Sequence, residues 1–80
     1  MYVHIGENEI LNSKEILGVF DVQTLKQSRN NLRILNMLKS EKREIKSVIF
    51  VNKKKIDDEK FSIISTRTLQ ERLEKNEDFT

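Results

Sequence analysis

The chain has 80 residues, with 15 Lys and Arg, 13 Asp and Glu, one His, no Cys and a net charge of +2. That length holds one domain with a thin core, because a chain this small buries only roughly 60% of the surface its unfolded form exposes. Disulfides and thiolate metal centres are excluded, and a single histidine leaves a zinc site short of its usual ligands.

Tyr2-Val3-His4-Ile5 alternates, with Val3 and Ile5 on one face. Gly6-Glu7-Asn8-Glu9 and Ile10-Leu11 follow, so a hairpin with a two-residue loop at Glu7-Asn8 is expected, pairing Ile5 with Ile10. His4 is read as a partly covered strand residue. Asn12 to Glu15 forms a turn or one helical turn, since Asn and Ser bond readily to nearby backbone. Ile16 to Val22 is a strand apolar on both sides, with Ile16, Phe20 and Val22 on one face and Leu17 and Val19 on the other. Gly18 in its middle signals a bulge or a close backbone approach.

From Thr24 to Leu38 the period becomes helical. Leu25, Leu32, Leu35 and Leu38 lie near one face, while Lys26, Arg29, Asn30, Arg33 and Asn36 fill the other. Thr24 is the expected cap, helped by Asp21. Arg29 and Arg33, one turn apart, are read as a solvated helix face that could also meet phosphates. The next strand begins near Arg43, and its core Ser47-Val48-Ile49-Phe50-Val51 reads as buried on both faces. Asn52 to Lys60 is expected as an exposed hairpin connection and Phe61 to Ile64 as the return strand. Ser65 caps a short last helix whose apolar stripe is Leu69 and Leu73. The order β-β-β-α-β-β-α, with runs of consecutive strands, gives an α+β fold with an antiparallel sheet. The domain spans 1–75, and 76–80 is expected to be a frayed tail.

Charge is unevenly distributed. Met1 to Leu38 balances four basic against four acidic residues, Lys39 to Lys55 carries seven against two for +5, and Ile56 to Thr80 carries four against seven for −3. The excess sits on both ends of the buried strand: Lys42, Arg43 and Lys46 before it, Lys53, Lys54 and Lys55 after it. A rigid strand holding cations at its ends suits an anionic partner, and these six residues are the candidate DNA-binding set. The plain alternative for any charge run is a solvated face.

Enzymatic chemistry finds no support. Glycines stand only at positions 6 and 18, so no phosphate-binding glycine loop exists. A Ser-His-Asp arrangement would depend on His4 alone, and the carboxylates cluster in turns and in the last helix. No catalytic residue, metal or cofactor is expected. The opening M-Y-V-H-I-G-E-N-E lacks a charged start before an apolar run, so no secretory signal is expected. No apolar stretch approaches the ~20 residues of a membrane span. A cytoplasmic protein without membrane contact is the expectation, and self-association is the remaining way for so small a core to gain burial.

Three stretches taken together, Y-V-H-I-G-E-N-E-I-L, K-S-V-I-F-V-N and S-I-I-S-T-R-T-L-Q-E-R-L, resemble in their order the RemA/RemB family of small bacterial regulators of extracellular-matrix genes. The H-I-G hairpin and the charged connection before F-S-I-I-S are closer to the RemB side. The resemblance covers nearly the whole chain and rests on strands and turns, not on a catalytic signature. It implies a cytoplasmic DNA-binding regulator that promotes biofilm-matrix gene expression. It also implies assembly into rings whose rim arginines meet double-stranded DNA, with a paralogous regulator as a further candidate partner. In RemA-like sequences an arginine-rich run leads into the strand matched by Ser47 to Phe50. Here that run is Arg43-Glu44-Ile45-Lys46, so Arg43 and Lys46 keep the charge while Glu44 and Ile45 do not. A second basic RemA position falls at Glu15, with Lys14 beside it. Two functions are therefore carried forward: a DNA-binding oligomer, and a protein-interaction or assembly subunit of the same system without DNA binding of its own.

Overall fold

The computed structural model describes residues 1–6 and 8–75. Five strands and three helices follow in order: β1 (Tyr2–His4), β2 (Ile10–Asn12), β3 (Ile16–Asp21), α1 (Val22–Lys26), α2 (Leu32–Lys39), β4 (Ser47–Lys53), β5 (Ile56–Ser62) and α3 (Thr66–Lys75). Short 3-10 turns at Ser13–Glu15 and Arg29–Asn31 link β2 to β3 and α1 to α2. This is the expected α+β class, built from two antiparallel sheets: a β1–β2 hairpin and a three-stranded sheet in the order β3-β4-β5. The expected tail, 76–80, lies outside the described residues, as does Glu7 of the first loop.

β4 is the centre of the molecule because its side chains are apolar on both sides and both sides are covered. Ile49 and Val51 point to one face, where Val3 and Ile5 of the hairpin segment and Leu69 of α3 close over them. Val48 points to the other, against Val22 and Leu25 of α1 and Ile34 of α2. Burying one such side chain contributes about 1.5–3 kcal/mol, so a strand used on both faces gives most to a thin core. Serines pin the layers together. The Ser62 hydroxyl donates to the Ile5 carbonyl, tying β5 to the hairpin. Ser47 donates to the Ile64 carbonyl at 2.7 Å and lies 2.8 Å from the Thr66 hydroxyl at the foot of α3.

Four sequence expectations change in detail. The first hairpin pairs Val3 with Leu11 and His4 with Ile10, and the Ile5 N–H donates to the Glu9 carbonyl at 3.0 Å, one residue out of the expected register. Because strand side chains alternate with period two, that shift turns Ile10 outward and Leu11 inward. In β3, Ile16 pairs with Val51 but Gly18 with Phe50, leaving Leu17 as a bulged extra residue that is 67% exposed. The bulge puts Val19, not Phe20, on the same face as Ile16. Phe20 meets Phe50 edge-to-face across the other side, with centroids 5.3 Å apart. Gly18 leaves room for that ring: a Cβ there would stand 3.0 Å from it, so Phe20 would have to shift slightly.

The single helix expected over Thr24 to Leu38 is two helices. Asp21, not Thr24, caps the first, accepting the Gln23 N–H at 2.8 Å. It closes when the Gln27 and Ser28 N–H groups bond back to the Thr24 and Leu25 carbonyls. The Ser28 hydroxyl then accepts from the Asn30 N–H at 3.3 Å, the local competition that makes Ser and Asn poor helix-interior residues. After the break Ile34 and Leu38 face the sheet, while Leu32, expected on the core face, is 63% exposed. Finally, β4 starts at Ser47 rather than near Arg43. Most of the expected Asn52 to Lys60 connection is paired strand around a two-residue turn, with Lys53 opposite Ile56.

Candidate nucleic-acid interface

The cations before β4 sit on an irregular segment, 40–46, whose ends are fixed. Where α2 stops, the Ser40 hydroxyl donates to the Met37 carbonyl at 2.8 Å and the Glu41 N–H to the Leu38 carbonyl at 3.1 Å. At the other end the Lys46 N–H donates to the Ser62 carbonyl at 2.8 Å, and the Lys46 carbonyl accepts from Val22 N–H at 3.1 Å. Ile45 is half-buried against the α1–α2 core and anchors the middle. Lys42, Arg43, Glu44 and Lys46 are left exposed on a short arch.

That arch borders a surface groove of about 630 Å³ shared with the two helices. Arg43 and Lys46 line it together with Lys26 from α1 and Lys39 from the end of α2. Asp21 and Glu44 are the carboxylates in the same lining, so four cations face two acids. One of those acids is occupied, since Asp21 caps α1. Arg43 is partly spoken for as well: its Nε and Nη2 donate to the same Glu41 carboxylate oxygen at 3.2 and 3.1 Å. Arg43 is half exposed and Glu41 only partly covered, so the pair is screened by solvent and contributes at most about 1 kcal/mol.

Lys53, Lys54 and Lys55 stand at the far end of β4, roughly 20 Å from Lys46 at the rise of an extended strand. They form the tip of the β4–β5 ribbon. Lys54 and Lys55 both adopt positive φ, 52° and 67°, as the two central residues of a tight hairpin turn. Asn-Gly fits such a turn freely, whereas an L side chain there costs roughly 1–2 kcal/mol per residue. Among the described residues, none of these three lysines makes an ion pair. The acids behind them are engaged elsewhere: Asp57 accepts from Asn52 at 2.6 Å, and Asp58 lies 3.7 Å from Lys60.

The structure thus divides the six candidate residues into two groups. Lys42, Arg43 and Lys46 stand together at the start of β4, and Lys53, Lys54 and Lys55 at its end. Lys26 and Lys39 join the first group without having been candidates. Lys39 belongs to the basic run and was legible by proximity. Lys26 carried no local signal, because the Val22–Lys46 backbone bond that sets α1 beside the arch spans distant parts of the chain. Glu15 lies at the ribbon-tip end, lining a second groove of about 490 Å³ with Lys53 and Lys54. Arg33 is committed to Glu59 at 2.5 Å, and the hydrogen bond to that carboxylate, with its charge, raises the guanidinium pKa further above its ordinary value. His4 is an exposed strand residue whose carbonyl accepts from Arg72 at 2.9 Å. Among the described residues no group of three His, Asp or Glu side chains is placed to hold a metal ion, and no helix is long and apolar enough to cross a membrane.

No protein-family model, no curated protein and no solved structure matches the chain.

Proposed function

We propose that this protein is a cytoplasmic DNA-binding transcriptional regulator that promotes extracellular-matrix gene expression, the role its resemblance to the RemA/RemB family implies. One observation carries the reading: Lys26, Lys39, Arg43 and Lys46 border a single groove at the start of a strand buried on both faces. A rigid base holds the cations without help from the ligand, so less ordering is lost when an anion arrives. Contacts of this kind bind phosphates and fix position without reading bases. Four neutralised phosphates would give a slope of about −3.6 in log K per decade of salt. A homo-oligomer presenting several such grooves would add avidity wherever one duplex reaches more than one of them.

The test compares duplex affinity of the wild type with Arg43→Ala, Lys46→Ala. The reading expects weaker binding and a shallower salt slope, and equal affinity of the two proteins would refute it. A second reading, an interaction or assembly subunit without DNA binding of its own, draws on Glu41 and Glu44. The first engages Arg43 and the second adds negative charge to the same groove. It expects a specific partner, a paralogous regulator among the candidates, to be retained in pull-downs after nuclease treatment, with no duplex binding at low salt.

A further inference from the structure

The tip of the β4–β5 ribbon has a shape and chemistry of its own. Outward from the buried Val51, the ribbon continues through the pairs Asn52–Asp57 and Lys53–Ile56 and ends in Lys54-Lys55. At strand spacing this is a two-stranded projection of about 10 Å. Every residue from Lys53 to Asp58 is exposed, and Ile56, at 69%, is the most exposed large apolar side chain among the described residues. The turn keeps lysine at both left-handed positions and leaves all three lysines without an ion pair among the described residues. Strained backbone at an exposed tip is a reason to ask what the tip does.

Resting on the DNA-binding reading above, we propose that this ribbon enters the major groove of duplex DNA, with Lys54 and Lys55 meeting phosphates on its walls and Ile56 packing against base edges. The major groove is about 12 Å wide and 8.5 Å deep and admits a two-stranded ribbon. Its floor offers thymine methyl groups to an apolar side chain, which a purely phosphate-binding surface would have no use for. Within the ribbon the carboxylates lie behind the tip, while Glu9, Glu15 and Asp58 line the groove at its flank with Lys53, Lys54 and Ile56. Asp57 and Asp58 are set back by one and two pairs, held by Asn52 and Lys60.

The experiment uses the whole protein and two duplexes of equal length, one plain and one whose cytosines carry glucosylated hydroxymethyl groups that fill the major groove without adding charge. The wild type is expected to bind the filled duplex at least tenfold more weakly. Lys54→Asn, Lys55→Gly keeps the turn, removes its strain and deletes two cations, so its salt slope should be shallower by about 1.8. Equal affinity for the two duplexes, or an unchanged slope in the variant, overturns the ribbon assignment. If the wild type binds the plain duplex in either case, the groove at the start of β4 stands without it. If the wild type binds neither duplex at low salt, the DNA-binding reading itself has failed, and the ribbon assignment fails with it.

Discussion

The two ends of β4 carry similar numbers of cations in different settings. At the start, Arg43 and Lys46 belong to an irregular arch, share their groove with Asp21 and Glu44, and meet a carboxylate from Glu41. At the finish, Lys53, Lys54 and Lys55 crown a regular ribbon on a strained turn and pair with no acid among the described residues. One end gathers charge by tertiary packing, since Lys26 arrives only because α1 bonds to the Lys46 carbonyl. The other end gathers it by sequence alone. A charge count over Lys39 to Lys55 treats them alike, yet the first groove sets four cations against Asp21 and Glu44, while the groove at the ribbon tip sets Lys53, Lys54 and Lys60 against Glu9, Glu15 and Asp58.

Ile49→Ala should have the largest effect and erase the comparison altogether. Ile49 is fully buried under the first hairpin and α3, so truncation should cost about 2–5 kcal/mol, read as a lower midpoint in urea, and weaken both ends together. Arg43→Ala, Lys46→Ala comes next. Losing two phosphate contacts should reduce duplex affinity roughly 50-fold at 0.1 M salt, with folding stability unchanged in the same urea series. Lys54→Asn, Lys55→Gly separates the ends in the other direction: relief of positive φ should raise stability by about 1 kcal/mol, seen as a thermal midpoint higher by roughly 4–8 °C. The smallest change is Glu41→Gln. It frees Arg43 from an exposed ion pair, so duplex affinity should rise only about threefold, and no change at the ribbon tip should accompany it.

Element types were legible where a local pattern set them. Alternation in Val3 and Ile5, the charge-free run from Ser47 to Val51 and the Ser65 cap before Leu69 each became the expected element. Gly18 marked the bulge, but the pattern did not reveal that Leu17 would be the extra residue, because only pairing with β4 decides which of two apolar neighbours is expelled. The helix break was hidden for the opposite reason. The expected stripe of Leu25, Leu32 and Leu35 is compatible with one helix, and the local bonds of Ser28 and Asn30 outweigh it. At the candidate interface the charges and their two sets were visible, while the arrival of Lys26 and the Glu41–Arg43 pair depended on where the arch folds back.

The salt dependence of wild-type binding to an unmodified duplex, with molecular mass determined in the same buffers, tests the central claim most directly. The account predicts a defined oligomer whose log K falls with a slope near −3.6 or steeper per decade of salt. A well-folded oligomer that fails to bind duplex at low salt would contradict it, and the basic start of β4 would then be a surface for an acidic protein partner.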